Sequence, residues 1–271
     1  MTAVNATDPS APSLTRDDLR AGLRDLGLPA GGVVIVHSSL SAFGHVTGGV
    51  DTLLTALREH LGPDGTLVVP TFTGEIRDPH PGAGPEAGPR VEADRAAVPL
   101  FDDDFPTAMG ALPTAVLATP GRLRSSHPQA SVAALGAHAK EITRIQPLAF
   151  AVGPGSPFDR MHDLDAHILL LGVGHNRNSF LHYAESLVPE QRRKLRRFPY
   201  LVDAERVWVE TPDVGDDNGA HFPAVGADAE RQGLVRTGRI GAAHCRLMRS
   251  RPFVAAAVAG LRARLDAPTP S

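Results

Sequence analysis

The sequence predicts one α/β domain with a central mixed, mostly parallel sheet flanked by helices, and three observations carry that prediction. The runs 33–36 (Val-Val-Ile-Val) and 168–173 (Ile-Leu-Leu-Leu-Gly-Val) are short, apolar and branched, the pattern of strands covered on both faces. Between the first run and a strand expected over 66–72, Val50, Leu53, Leu54, Leu57 and Leu61 keep one apolar stripe, giving strand–helix–strand order. Such a unit needs a right-handed crossover and implies parallel neighbours. Finally, 271 residues with 42% hydrophobic content are enough to cover a large sheet within a single domain.

The elements follow in order. Residues 1–13 are small, polar and Pro-containing, so a disordered tail is expected there, with the domain over 14–271. Thr15 with Asp18 has the pattern of a capping box, Leu19, Leu23 and Leu26 follow at helical spacing, and Gly27 with Pro29 ends the helix. The strand at 33–36 runs into His37-Ser38-Ser39 and a loop to Gly48-Gly49, where the second helix begins; the turn Gly62-Pro63-Asp64-Gly65 launches the next strand. Over 74–106 the pattern dissolves into Pro, Gly and acid, too long for an ordinary connector, and reads as an insertion acting as a lid. A helical turn or two is expected over 109–116, a Pro- and Ser-rich loop over 124–131, a helix around 136–143 and a loop over 152–157. After the second buried run, Asn178 or Ser179 can cap a helix with Leu181, Ala184 and Val188 on its apolar face. A strand at 207–209 and an amphipathic helix over 252–265 complete the chain.

Charge excludes several classes of partner. The net charge is −3, but eight acids fall within 75–104 and eight more within 203–230, so a polycationic ligand is a sharper reading than a merely solvated surface. The basic run Arg192-Arg193-Lys194 with Arg196 and Arg197 lacks interleaved aromatics and sits in an acidic chain, which argues against nucleic acid; it reads as a solvated helix face, or as a contact for a phosphorylated cofactor. No apolar run approaches the roughly 20 residues of a membrane-spanning helix and no secretion signal opens the chain, so a cytoplasmic protein without membrane attachment is expected. The single cysteine, Cys245, reads as a small buried residue.

Chemistry concentrates in 167–185. There a buried strand, a loop, a helix start and the pair His182 and Glu185 fall within 19 residues, and ligands collect at the carboxyl ends of such strands. His182 and Glu185 lie three apart on one helix, so the carboxylate can sit beside the imidazole and make it a usable proton acceptor. His37 ends the other buried strand, next to two hydroxyls, and can face the same cleft. His37, His45, His175, His182 and Glu185 could supply three metal ligands, but neither HExxH, nor a cysteine pair, nor a repeated Glu-x-x-His supports it. Gly-x-Ser-x-Gly, GxGxxG and GxxxxGK[ST] do not occur either, which weakens serine-nucleophile and glycine-loop nucleotide readings.

Six ordered blocks add to this picture: Val36-His37-Ser38-Ser39-Leu40 before Gly48-Gly49; Gly65 to Phe72 with Pro70-Thr71; Phe101-Asp102 before Pro106-Thr107 and Met109-Gly110; Arg124-Ser125 with His127-Pro128 and Ser131; Gly155-Ser156-Pro157; and Leu169 to Val173 through His182-Tyr183-Ala184-Glu185. With these blocks the sequence resembles the aminoglycoside 3-N-acetyltransferases, whose fold is not that of the Gcn5-related acetyltransferases. The resemblance implies acetyl transfer from acetyl-coenzyme A to the 3-amine of a 2-deoxystreptamine antibiotic, without a metal, in an antibiotic-resistance role, by a monomer or homodimer. Chemistry agrees, since an ammonium must lose a proton before it attacks a thioester. Carried onto this chain, the resemblance assigns His182 as base, Glu185 as its partner or an amine contact, and His37 to the thioester. It assigns coenzyme contacts to His37, Ser38, Ser39, Thr71, Ser126 and Ser131, and contacts with the cationic sugar to Glu75, Asp102, Asp163 and Glu185. Two departures concern the acceptor: Ile145-Gln146-Pro147 stands where many members have a histidine, and the loop between Asp102 and Pro106 is about one residue shorter than usual. The alternatives are an acyl-coenzyme A transferase acting on another amine of secondary metabolism, a non-catalytic relative that sequesters the antibiotic, and a metal hydrolase.

Overall fold

The computed structural model describes residues 13–84 and 88–265. The tail expected over 1–13 therefore lies, apart from Ser13, outside the described residues. Helix α1 (Arg16–Leu26) is capped as its sequence predicts: the Asp18 N–H donates to the Thr15 hydroxyl at 3.3 Å and the Thr15 N–H to the Asp18 carboxylate at 2.9 Å. It is followed by β1 (Val33–Ser38), α2 (Gly49–Leu61), β2 (Thr66–Pro70), α3 (Pro89–Ala97), α4 (Ala111–Leu117), β3 (Leu123–Arg124), β4 (Val132–Gly136), α5 (Ala139–Thr143) and α6 (Pro157–Asp163). The second half comprises β5 (His167–Leu171), α7 (Phe180–Ser186), β6 (Arg193–Val202), β7 (Glu205–Val214), α8 (Phe222–Arg231), β8 (Arg236–Ile240), β9 (Ala243–Arg249) and α9 (Ser250–Leu265).

Seven strands form one mixed sheet in the order β3-β4-β2-β1-β5-β9-β8, in a single α/β domain. Alternation along the central strands divides the core in two. Val33 and Ile35 of β1, with Ile168 and Leu170 of β5, face Phe158, Phe180, Phe253 and the helices α5 to α9. Val34 and Val36, with Leu169 and Leu171, face α1, α2 and α4. Period-2 side chains on doubly covered strands place apolar residues at every position, which is why both runs are legible as strands.

The mostly parallel sheet expected from the β-α-β unit is corrected. Among the described strands of this sheet, only β1 pairs in parallel, with β2 and with β5; the ladders β2–β4, β3–β4, β5–β9 and β8–β9 are antiparallel. The reason is connectivity. After β2 the chain leaves the carboxyl end of the sheet, makes its long excursion there and returns through 124–131, so β4 re-enters from the same end and must run backwards. At the other side β8 and β9 are joined by a two-residue turn, which permits only antiparallel pairing. The parallel part is confined to β2, β1 and β5, whose carboxyl ends lie together.

The basic run is likewise corrected from a helix face to a strand. β6 pairs with β7 along its whole length as a separate two-stranded sheet, turning at Asp203 and Ala204 with φ of 50° and 65°. Two consecutive left-handed residues suit the right-handed twist of a tight hairpin. The 74–106 segment docks on this hairpin: Ile76 and Val98 bury against Phe198, the Asp78 N–H donates to the Arg197 carbonyl at 2.9 Å, and Arg95 chelates the Asp78 carboxylate. No described helix is long and apolar enough to cross a membrane.

Candidate active site

Two cavities open where the carboxyl ends of β2, β1 and β5 meet their loops. The first, of about 560 Å³, is lined by His37, Ser38 and Ser39 after β1, by Gly172, Asn176 and Arg177 after β5, by Pro70, and by residues at the start of α4. The second, of about 470 Å³, holds His182 and is bounded by Phe72, Val152, the β6 residues Lys194 to Arg197, and Asp213. Both sizes are ordinary for small-molecule sites, and the position at strand ends is the usual one in such sheets. Pro70 faces one cavity and Phe72 the other, so the end of β2 stands between them.

His182 and Glu185 lie on one face of α7, as their spacing predicts. The His182 Nδ1 is 2.9 Å from Glu185 Oε2. Glu185 is fully buried and His182 half-buried, with its ring edge-on to Phe222 at 4.7 Å. A carboxylate can only accept, so Nδ1 carries the proton and Nε2 is the ring nitrogen left with a lone pair. Leu181 and Ala184 anchor the helix in the core and fix the direction of this pair. Ser179 is the N-cap of α7 but makes no side-chain cap bond; Asn178, one residue earlier, accepts the Phe180 N–H through its side-chain oxygen at 3.1 Å.

His37 borders the first cavity but is not placed as a base. Its Nε2 accepts the Ser179 N–H at 3.1 Å, its Nδ1 is buried without a hydrogen-bond partner among the described residues, and burial pushes its pKa down to about 3. The neutral ring therefore ties the end of β1 to the start of α7, three residues before His182.

The remaining residues singled out in the sequence divide into groups. Ser38 and Ser39 line the first cavity with His37. Thr71 and Ser131 are fully buried and bonded to each other, Oγ1 to Oγ at 3.0 Å, inside a web in which Arg124 donates to the carbonyls of Thr71 and Phe105 and to the Ser131 hydroxyl. Their hydroxyls brace the strand ends, and neither residue lines either of the two cavities. Ser126 lies in a third cavity of about 300 Å³ with Phe101, Arg124 and Tyr200. Glu75 borders a neighbouring depression with Arg77 and Asp94, Asp102 is exposed in a turn where it accepts the Asp104 N–H, and Asp163 is exposed at the end of α6, ion-paired to Arg160. Asp163 precedes β5, so it sits at the amino end of that strand, away from His182. None of these three acids lines the His182 cavity.

Asp78 and Asp213 line it instead. Asp78 is held by Arg95 and Arg197, and Asp213 by Arg196. Sequence reasoning missed both, along with Arg177, because their placement depends on the β6–β7 hairpin and on loop geometry rather than on local spacing. Residues 193–202 show no period-2 alternation, with Leu195 exposed and Phe198 buried on the opposite face, so local pattern gave the hairpin little signal. Gln146, in the stretch where many members of the resembled family have a histidine, braces the loops: its amide donates to the carbonyls of Ala130 and Ala151, each at 2.8 Å. His127 acts similarly. Its Nδ1 accepts the N–H groups of Gln129 and Ala130, its Nε2 meets the Leu148 carbonyl at 3.1 Å, and burial pushes its pKa down to about 4. Among the described residues, no group of three or more His, Cys, Asp or Glu side chains is arranged to hold a metal ion.

Comparison with known proteins gives a consistent set of similarities. The family described as aminoglycoside 3-N-acetyltransferase matches residues 35–262. Aminoglycoside N(3)-acetyltransferase IX of Micromonospora chalcea is 34% identical over 94% of this chain and 96% of its own. Among solved structures, AAC-IIIb in a binary complex with CoASH superposes with a TM-score of 0.83 at 31% identity, covering 96% of this chain and 100% of that one. AAC-VIa bound to sisomicin gives 0.82 at 31% identity over 94% and 100%.

Proposed function

This chain belongs to the aminoglycoside 3-N-acetyltransferase family, and from that premise we propose that its two cavities divide an acetyl transfer between them, from acetyl-coenzyme A to the 3-amine of an aminoglycoside. The first cavity takes the thioester, with Ser38 and Ser39 beside its carbonyl; the second takes the amine. The observation that carries this reading is the His182–Glu185 pair, a half-buried imidazole oriented by a fully buried carboxylate and facing a cavity.

The substrate ammonium first loses one proton to solvent; the neutral amine then attacks the thioester carbonyl, and His182 Nε2 accepts the second N–H proton as the N–C bond forms. Glu185 holds the ring in the tautomer that leaves Nε2 unprotonated and stabilises the imidazolium that forms. The new N–C bond replaces the C–S bond, the thiolate leaves as coenzyme A, and the proton on His182 is available to it. His37 acts in this scheme as a positioning residue, fixing Ser179 and with it the start of α7. The family relation supports a cytoplasmic enzyme; metal independence and a monomeric or homodimeric state belong to the same proposal.

The test is free-thiol release from acetyl-coenzyme A with aminoglycosides whose 3-amine is free or blocked. Release that disappears on blocking supports the reaction and its position; silence across the panel overturns the acceptor assignment. A second reading, transfer to a different amine, is favoured by one observation: the described carboxylates on the His182 cavity wall, Asp78 and Asp213, are each already bonded to arginines. Release with a non-aminoglycoside amine, and not with the panel, selects it.

A further inference from the structure

We propose that Arg177 grips the phosphate-bearing end of coenzyme A at the mouth of the first cavity. The inference rests on the coenzyme assignment above and adds a residue that neither the motifs nor the resemblance singled out. Of the residues lining that cavity, only His37 and Arg177 are ionisable, and no carboxylate is among them. His37 is buried, with Nε2 engaged by Ser179, so it marks the inner wall, where a thioester rather than a phosphate belongs. Arg177 is exposed, and its guanidinium makes no hydrogen bond or ion pair with any described residue. An anion arriving at this mouth meets one positive charge and no lining carboxylate. The planar guanidinium suits phosphate oxygens, two of which it can engage at once.

The loop that presents Arg177 is held in place before any ligand binds. Arg177 closes a 3-10 turn, its N–H donating to the Gly174 carbonyl at 3.0 Å, and the Asn178 N–H donates to the His175 carbonyl at 3.0 Å. His175 is buried, its Nε2 3.1 Å from Glu230 and its ring stacked on Phe253 at 5.8 Å. Arg246 bonds the same Glu230 oxygen at 2.5 Å and the Val173 carbonyl at 3.3 Å. With the backbone of the loop fixed, binding need order only the Arg177 side chain.

The experiment titrates coenzyme A, dephospho-coenzyme A and pantetheine into the wild-type protein and into Arg177→Gln and Arg177→Lys, by calorimetry and at two salt concentrations. Charge-assisted bonds to phosphate predict that Arg177→Gln weakens coenzyme A binding by about tenfold or more, that Arg177→Lys falls between, and that pantetheine binding is unchanged. The wild-type preference for coenzyme A over pantetheine should shrink with added salt, and shrink less in Arg177→Gln. Equal coenzyme A affinity in all three proteins overturns the proposal, as does equal weakening of coenzyme A and pantetheine, which marks a structural role. Because no acceptor is present, an Arg177-dependent affinity for coenzyme A with no thiol release from any amine sinks the acceptor assignment and leaves this inference standing.

Discussion

The Nε2 of His37 accepts the backbone N–H of Ser179 at 3.1 Å, joining the end of β1 to the start of α7 across 142 positions of sequence. This bond connects the walls of the two cavities. It accounts for a histidine at the end of a buried strand without giving it a proton-transfer role: the ring is an acceptor aimed at a helix start, and burial keeps it neutral. In the proposed mechanism proton transfer falls to His182, which shares its helix with a buried carboxylate.

Removing the base should cost the most. His182→Ala is expected to lower kcat by about 100-fold or more, the usual contribution of a general base, with a smaller effect on the KM for acetyl-coenzyme A. Steady-state kinetics with an accepted amine check this, and a loss below about tenfold would show that another group takes the proton. Glu185→Gln should also lower kcat, since the amide no longer favours the reactive tautomer.

Acid should destabilise the protein partly through His37. The folded pKa of about 3 lies below the ordinary value of 6.5, so between those values the unfolded chain binds a proton that the folded ring refuses. Stability therefore rises with pH across that window and is lost as pH falls below about 6.5. Between pH 6.5 and 4.5 one such group accounts for at most roughly 3 kcal/mol. Urea-unfolding midpoints of the wild type and His37→Gln should converge on acidification; parallel curves would mean that His37 does not titrate this way. His127, held at about 4 by burial, acts in the same direction.

The docking of the 74–106 segment depends on one buried carboxylate. Arg95 bonds Asp78 through Nε and Nη2 at 2.9 to 3.1 Å, and Arg197 reaches the same carboxylate at 3.1 Å. Asp78→Ala leaves Arg95 buried without its partner, which predicts a loss of about 3 kcal/mol or more. Asp78→Leu combined with Arg95→Met should recover part of it. Thermal denaturation with limited proteolysis is the check, with new cleavage expected in the segment for the single variant alone.

Packing behind the loop that carries Arg177 should tolerate no methyl group at position 226. A Cβ built on Gly226 would lie 2.0 Å from the Cγ of His175, so Gly226→Ala must displace the ring that bonds Glu230. Overpacking of this kind costs about 1–3 kcal/mol. Gly226→Ala should lower the melting temperature and raise the KM for acetyl-coenzyme A more than it lowers kcat. Since His175→Ala makes room for the methyl group, the double variant should be more stable than the sum of the two single losses; simple additivity would place the strain elsewhere.

Local pattern by itself determined the strands at β1 and β5, the capped helix α1, the stripe of α2 and the His182–Glu185 pair, because each depends on spacing within a few residues. The ordered blocks determined the family. Tertiary structure decided the direction of β4, β8 and β9, which follows from where the chain re-enters the sheet, and it turned the basic run from a helix face into a hairpin strand on the His182 cavity. It also sorted residues that motif position alone had grouped together. Thr71 and Ser131 are buried in the Arg124 web, Asp163 stands at the wrong end of β5, and Asp78, Asp213 and Arg177 came to the cavities unannounced. Local spacing fixes which side chains share a face of one element, but which faces meet around a cavity depends on contacts between residues far apart in the chain.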